Sequence, residues 1–121
     1  REFLARAVES VDQLEILRLL WEDPARGWDP AELAAAVQTT PAAVRGHLTA
    51  LQGRGLLAVS AAGGGGLTAR HGPAPATADA LGRLLQVYRE RPVSMIKAVS
   101  ARAADPLRNF ADAFRIRDEG G

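Results

Sequence analysis

Residues 39–57, TTPAAVRGHLTALQGRGLL, constrain the fold of this chain more than any other stretch. Thr40 can cap a helix with its hydroxyl, and Pro41 suits the first helical position. Three apolar residues then recur at the i, i+4, i+7 spacing of one buried helical stripe: Val44, Leu48 and Leu51. Gly55 can end this helix with a positive φ, and the apolar residues after it favour a strand. The pattern predicts a helix over 41–53 that leads directly into a strand.

Another helix start lies near the N-terminus. Ser10 and Gln13 form an S-x-x-Q capping box at the head of a helix that is predicted to end at Asp23-Pro24. The expected buried face of this helix consists of five apolar residues: Val11, Leu14, Leu17, Leu20 and Trp21. A short arm helix over residues 2–8 is expected to precede it.

A shorter helix is predicted between these two. Asp29 can cap it, Glu32 completes a second capping box, and Trp28 and Leu33 occupy the two positions of a hydrophobic staple. The helix should end near Gln38, which leaves a tight turn before the helix over 41–53. Two helices joined by so short a turn are typical of a helix-turn-helix.

A hairpin is predicted after the third helix. The strands Leu56–Ser60 and Leu67–Arg70 flank the glycine-rich segment 61–66, which suits a flexible tip. This glycine run does not fit a nucleotide-binding loop, because no lysine follows it and no helix begins there.

The C-terminal half is predicted to be helical. Residues 71–76 contain two prolines and form a linker, after which Thr77 is expected to cap a fourth helix. Pro92 begins a further segment, and Asp105-Pro106 repeats the cap-plus-proline start for a last helix.

Composition excludes several classes of protein. The absence of cysteine excludes a disulfide framework and a thiolate metal site. Because no apolar run approaches a membrane span and the N-terminal residues do not resemble a signal peptide, we expect a cytoplasmic protein. No nucleophile motif or catalytic pair of carboxylates is present, so we expect neither an enzyme nor a bound cofactor or metal.

The net charge of +1 is unevenly distributed. Residues 1–36 carry four arginines against eight acids, and residues 73–121 carry eight bases against six acids. Residues 37–72, between them, carry Arg45, Arg54 and Arg70 and no acid. A surface that meets nucleic-acid phosphates should lack carboxylates, which would repel the backbone charge.

These elements together resemble prokaryotic winged helix-turn-helix transcriptional regulators of the broad MarR/ArsR type. The matching segments are LEILRLLWEDP, DPAELAAAV and TPAAVRGHLTALQGRGLL, the last with an L-x-x-L-x-x-x-G-L-L spacing, followed by the glycine-tipped hairpin. The resemblance covers roughly residues 10–70. It implies a mostly α fold with a small β-hairpin wing: a winged helix-turn-helix domain with an N-terminal arm over 1–72 and a C-terminal helical extension over 73–121.

The resemblance also implies a function, which is sequence-specific binding of double-stranded DNA by a homodimer through the helix 41–53 and the wing 56–70. The candidate DNA-binding residues are Thr39, Thr40, Ala42, Arg45, Gly46, Thr49, Gln52, Arg54 and Arg70. The candidate dimer-interface residues are Phe3, Leu4, Leu81, Leu84, Tyr88, Leu107, Phe110 and Phe114.

The outward face of the helix 41–53 also permits a different partner. Direct base readout needs Arg, Lys, Asn or Gln aimed at base edges, and this face instead holds Ala42, Gly46 and Gly53. So smooth a surface suits close approach by another helix. The alternative is therefore a protein-protein interaction module that has lost base readout, while neutral drift in an alanine-rich sequence would explain the same residues.

Four further residues have competing interpretations. His47 is expected to be structural or phosphate-facing, and His71 lacks visible partners for a metal site. Trp21 and Trp28 are expected in the core and the staple, with a small-ligand pocket between them and the C-terminal helices as the alternative.

Overall fold

A computed structural model describes residues 8–103 of the chain. Its elements, in chain order, are α1 (Val11–Glu22), α2 (Pro30–Val37), α3 (Pro41–Gly53), β1 (Ala58–Ala62), a 3-10 turn (Gly63–Gly65), β2 (Gly66–Arg70), α4 (Pro75–Glu90) and α5 (Pro92–Ala103). The predicted fold class, mostly helical with one β-hairpin, is confirmed. The predicted arm helix over 2–8, apart from Val8, which is not helical, and the last helix after Asp105 lie outside the described residues.

Side-chain caps begin each of the first three helices, at the residues where the sequence predicts them. Ser10 Oγ accepts the Gln13 N–H at 3.2 Å, and Thr40 Oγ1 accepts the Ala43 N–H at 3.1 Å. At α2 the capping box is reciprocal, with the Glu32 N–H donating to Asp29 at 2.8 Å and the Asp29 N–H donating to Glu32 at 3.0 Å. Each cap satisfies backbone donors that have no partner inside their helix.

The turn between α2 and α3 depends on one left-handed residue. Gln38 has φ 61 and ψ 51, and the Thr39 N–H donates to Ala34 O at 2.9 Å. This hydrogen bond closes the C-terminus of α2 and turns the chain directly into the Thr40 cap of α3. The helix-turn-helix arrangement is therefore confirmed.

Gly55 ends α3 as predicted, with φ +74. The Gly55 N–H donates to Gln52 O at 2.9 Å and the Leu56 N–H to Leu51 O at 3.0 Å, which together form a Schellman motif. The prediction that the strand starts at Leu56 is wrong. Leu56 and Leu57 are both buried, and a strand would turn one of two consecutive side chains away from the core, so pairing starts only at Ala58.

The two strands form an antiparallel hairpin with Ala58 opposite Arg70 and Ala62 opposite Gly66. Trp28, in the loop before α2, adds a short bridge to the outer side of β2. Its N–H and C=O each make a 2.8 Å hydrogen bond with Ala69. This bridge fixes the base of the hairpin against the α1–α2 loop.

One hydrophobic core joins all five helices. Residues such as Leu17 of α1, Leu33 of α2 and Leu48 of α3 pack in the same cluster as residues of α4 and α5. No described helix is long and apolar enough to cross a membrane.

The start of α4 differs from the prediction. The helix begins at Pro75, and its N-cap residue Ala74 has no capping side chain. Thr77 lies inside the first turn, where its hydroxyl donates to Gly55 O at 2.6 Å and to Ala74 O at 3.0 Å. Thr77 therefore joins the start of α4 to the end of α3 and is not a cap.

Three of the predicted dimer-interface residues belong to the core of the single chain. Leu81, Leu84 and Tyr88 of α4 are 1%, 8% and 3% exposed. Their burial corrects the prediction, because a side chain enclosed by its own chain has no surface to offer a second copy. The α4 stripe that suggested an interface instead packs on the rest of the chain.

Candidate nucleic-acid interface

The outward face of α3 is open in the described structure. Val44, Leu48 and Leu51 face the core and are at most 1% exposed. The opposite side presents five exposed residues: Ala42, Gly46, Thr49, Gln52 and Gly53. Apart from the adjacent residues and the backbone of α3 itself, no heavy atom of the described residues lies within 4 Å of the Cβ position at Gly46 or Gly53. Helices α4 and α5, as described, therefore leave this face uncovered.

Arg45 lies at the edge of this face and is exposed. Among residues 8–103 its guanidinium has no hydrogen-bond or ion-pair partner. Its side chain lines an open groove of about 560 Å³ between the hairpin and the N-terminal ends of α2 and α3. The other lining residues are Gly27, Trp28, Asp29, Pro30, Ala31, Glu32, Pro41, Ala62, Gly63, Gly66, Leu67 and Thr68. Arg45 is thus an unpaired cation of this groove, whose other charged residues, Asp29 and Glu32, bind each other's backbone N–H groups in the α2 capping box.

The two threonines before α3 differ in what they can offer. Thr40 is exposed, and because its oxygen accepts the Ala43 N–H, its hydroxyl proton remains available to a phosphate. Thr39 is half-buried, and its N–H already donates to Ala34 O at 2.9 Å. Thr40 is therefore the better placed of the two.

Arg54 does not join the outward face. Its guanidinium forms an ion pair with Glu9 and donates to Gln13 Oε1 at 3.3 Å. The C-terminal end of α3 packs beside the N-terminal end of α1, where this acid lies. One of the three positive charges that the sequence places in the acid-free segment is therefore neutralised.

Gln13, which the sequence predicts only as part of a helix cap, is the centre of a polar cluster. Its side chain is 3% exposed. Gln13 Oε1 accepts the Glu9 N–H at 2.9 Å as well as the Arg54 guanidinium. Gln13 therefore replaces the expected contact to the Ser10 N–H with a contact one residue earlier. No local sequence signal predicts the partners on α3.

The Glu9 N–H and the Arg54 guanidinium, which both donate to Gln13 Oε1, also determine the tautomer of the neutral His47 ring. Because they hold the Gln13 oxygen, the Gln13 amide nitrogen faces His47 Nδ1, at 3.2 Å. That ring nitrogen must accept, so the neutral ring carries its proton on Nε2, which lies 4.0 Å from the Asp12 carboxylate. His47 therefore joins α3 to α1, in agreement with the structural interpretation of this residue.

Arg70 is exposed at the end of β2 and donates to Ala25 O at 2.9 Å. Arg26, in the same loop as Ala25, lies 3.4 Å above the Trp28 ring and pairs with Glu32 at 3.1 Å. Arg70 remains accessible at the end of the wing, whereas Arg26 is paired.

Two titratable groups away from this face are shifted by burial. Burial lowers the pKa of His71. Burial, followed by the neighbouring Glu15 carboxylate, raises the pKa of Tyr88.

No group of three or more metal-ligating side chains occurs among the described residues. The groove described above is lined by Trp28 but not by Trp21, so the two tryptophans do not share it.

Comparison with known proteins supports the fold. The solved structure of a double mutant of ZitR from Lactococcus lactis, in its apo form, is similar with a TM-score of 0.52 and 20% sequence identity. The similarity covers 92% of this chain and 83% of that chain. No protein-family model and no curated protein matches the sequence. The likeness, together with the order of the elements, supports a winged helix-turn-helix fold.

Proposed function

We propose that this chain is a DNA-binding transcriptional regulator that acts as a homodimer, with α3 in the major groove and the β1–β2 hairpin as its wing. The uncovered outward face of α3 carries this proposal, because a groove-binding helix needs that face free. The absence of acidic residues from 37 to 72 supports it further, since the helix and the hairpin both lie in that segment.

Phosphate contacts are few in this arrangement. On α3 and the hairpin, as described, each subunit offers Arg45, Arg70 and the Thr40 hydroxyl, while Arg54 is paired with Glu9. A dimer that uses both arginines of each subunit would neutralise four phosphates. We therefore expect log affinity to fall with log salt at a slope of about −4, which is shallow for a repressor.

The test is enrichment of genomic DNA fragments by the purified chain at low and moderate salt, followed by titration of the enriched duplex. Arg45→Ala should weaken binding and flatten the salt dependence. Arg83→Ala is the matched control, because it removes the same charge from an exposed position on α4. A lack of enriched fragments, or equal effects of the two variants, would contradict the proposal.

A protein partner at the Ala42, Gly46 and Gly53 face is the second candidate. The open space over Gly46 and Gly53 favours it, because two helices pack closely where side chains are absent. The Gly46→Arg variant distinguishes a DNA partner from a protein partner, since the new side chain has room to extend away from the helix. With DNA as the partner, the added cation should steepen the salt dependence of binding. With a protein partner, the variant should lose that contact and bind no DNA.

The proposed dimer depends on residues outside the described range. Because Leu81, Leu84 and Tyr88 are in the core, the remaining interface candidates are Phe3, Leu4, Leu107, Phe110 and Phe114. Light scattering should show a monomer for Phe110→Ala combined with Phe114→Ala, with the far-UV spectrum of the winged core retained. A dimer of unchanged stability would contradict this proposal.

A further inference from the structure

We infer that Thr49 is the specificity-determining residue of α3 and reads the C5-methyl group of thymine in the major groove, an inference that rests on the proposed DNA binding. It specifies the ligand as a duplex with A·T pairs where α3 meets the bases. It also assigns a reading role to a face that lacks the usual long polar side chains.

The first observation is the orientation of the Thr49 side chain. Its hydroxyl donates to Arg45 O, one turn back along α3, at 3.0 Å. Thr49 itself is exposed. Because the hydroxyl is bound to the helix backbone, the Cγ2 methyl is the free end of the side chain. Thr49 therefore presents an apolar group to whatever approaches α3.

The second observation is the height of that methyl group above its surroundings. Gly46 precedes Thr49 by three residues and Gly53 follows it by four, so both lie on the same helical face. Neither has a side chain, and the space at both Cβ positions is empty to 4 Å. On the side of Gly46 and Gly53 the Thr49 methyl therefore stands above a low surface, while the longer Arg45 and Gln52, four residues before it and three after it, lie on its other side.

The chemistry of the major groove identifies the matching group. A thymine displays its C5-methyl there, and apolar contact with a threonine or alanine methyl distinguishes thymine from the other bases. Arg45 and Gln52, on the flanks of the same face, are exposed and belong to the residue types that bind guanine and adenine edges. Along α3, the methyl contact of Thr49 would therefore lie between the polar contacts of Arg45 and Gln52.

The test compares the enriched duplex with the same duplex in which uracil replaces thymine within the half-sites. This replacement removes only methyl groups and leaves base pairing and phosphate charge unchanged. We expect about a fourfold loss of affinity for each buried methyl, or about fifteenfold for two symmetric half-sites.

Two variants separate the methyl from the hydroxyl. Thr49→Ser keeps the hydroxyl and loses the methyl, so it should bind the thymine and uracil duplexes equally. Thr49→Val keeps a methyl and loses the hydroxyl, so it should retain some preference for thymine. Thermal unfolding of both variants verifies that α3 is intact.

The outcomes distinguish this inference from the proposed function. If the wild-type chain binds the duplex but does not discriminate uracil from thymine, the role of Thr49 is refuted and DNA binding stands. Unchanged discrimination in Thr49→Ser would refute it as well. If the wild-type chain binds no DNA, both the function and the inference fall.

Discussion

Substitution of glycine by alanine should have opposite effects on stability at two positions, one inside α3 and one at its C-terminal end. Gly46 lies within α3, and Gly55 ends that helix with φ +74. We predict that Gly46→Ala stabilises the chain and that Gly55→Ala destabilises it. The contrast tests whether backbone conformation at each site, rather than glycine content, determines stability.

The expected cost at Gly55 has two sources. An L-residue in the left-handed region costs about 1–2 kcal/mol. A Cβ at this position would also lie 3.2 Å from Ala74 Cβ and 3.8 Å from Thr77 Oγ1 at the start of α4. The smaller unfolded-state entropy of alanine offsets about 0.4–1 kcal/mol of this cost. We expect Gly55→Ala to lower the free energy of unfolding by about 1–2 kcal/mol.

At Gly46 both the backbone conformation and the space around the Cβ position favour alanine. The residue is in the interior of α3, and a Cβ there meets nothing within 4 Å. Alanine should therefore raise the free energy of unfolding by about 0.5–1 kcal/mol. The two variants should differ from each other by about 1.5–3 kcal/mol.

Urea denaturation measures this difference, with tryptophan fluorescence and far-UV circular dichroism as independent probes. All proteins must be compared at one protein concentration, because dimerisation would make stability depend on it. The two midpoints should lie on opposite sides of the wild-type midpoint with unchanged slopes. A Gly55→Ala protein as stable as wild type, or a destabilised Gly46→Ala protein, would refute the reasoning.

Three further predictions concern other parts of the chain. Gln38→Gly should stabilise by about 0.5–1 kcal/mol in urea denaturation, because Gln38 holds φ 61 in the turn. Gln13→Leu should lower the free energy of unfolding by about 1–3 kcal/mol by leaving Arg54 and the Glu9 N–H without this acceptor. Burial lowers the pKa of His71 from 6.5, so its contribution to stability is full above that pH and declines as pH falls below it. Thermal unfolding at several pH values should show a shallower acid decline for His71→Gln, and an unchanged decline would exclude this histidine as its source.

Local chemistry determined the helix boundaries that the sequence predicts correctly. The caps at Ser10, Asp29 and Thr40 each bind an N–H three residues further on, and Gly55 ends α3 through bonds to the same helix. Such interactions depend on neighbouring residues and on backbone sterics alone. They can therefore be read before any tertiary contact is known.

Contacts between distant segments decided the rest. Arg54 looks like a free surface cation in the sequence, but it lies 41 residues from Gln13 and contacts it in the fold. Thr77 resembles a cap, yet its hydroxyl joins Gly55, 22 residues earlier. The apolar stripe of α4 suits a core or a dimer equally well, and only packing against the other helices shows Leu81 and Leu84 to be core.

The outward face of α3 combines both kinds of information. Its composition is set by residue spacing, since Val44, Leu48 and Leu51 must face the core and the small residues between them must face away. Whether that face is free could not be read from the sequence, because burial depends on where α4 and α5 pack. In the described structure they pack elsewhere, which leaves the face open, and the Thr49 hydroxyl on that face is bound to the helix backbone.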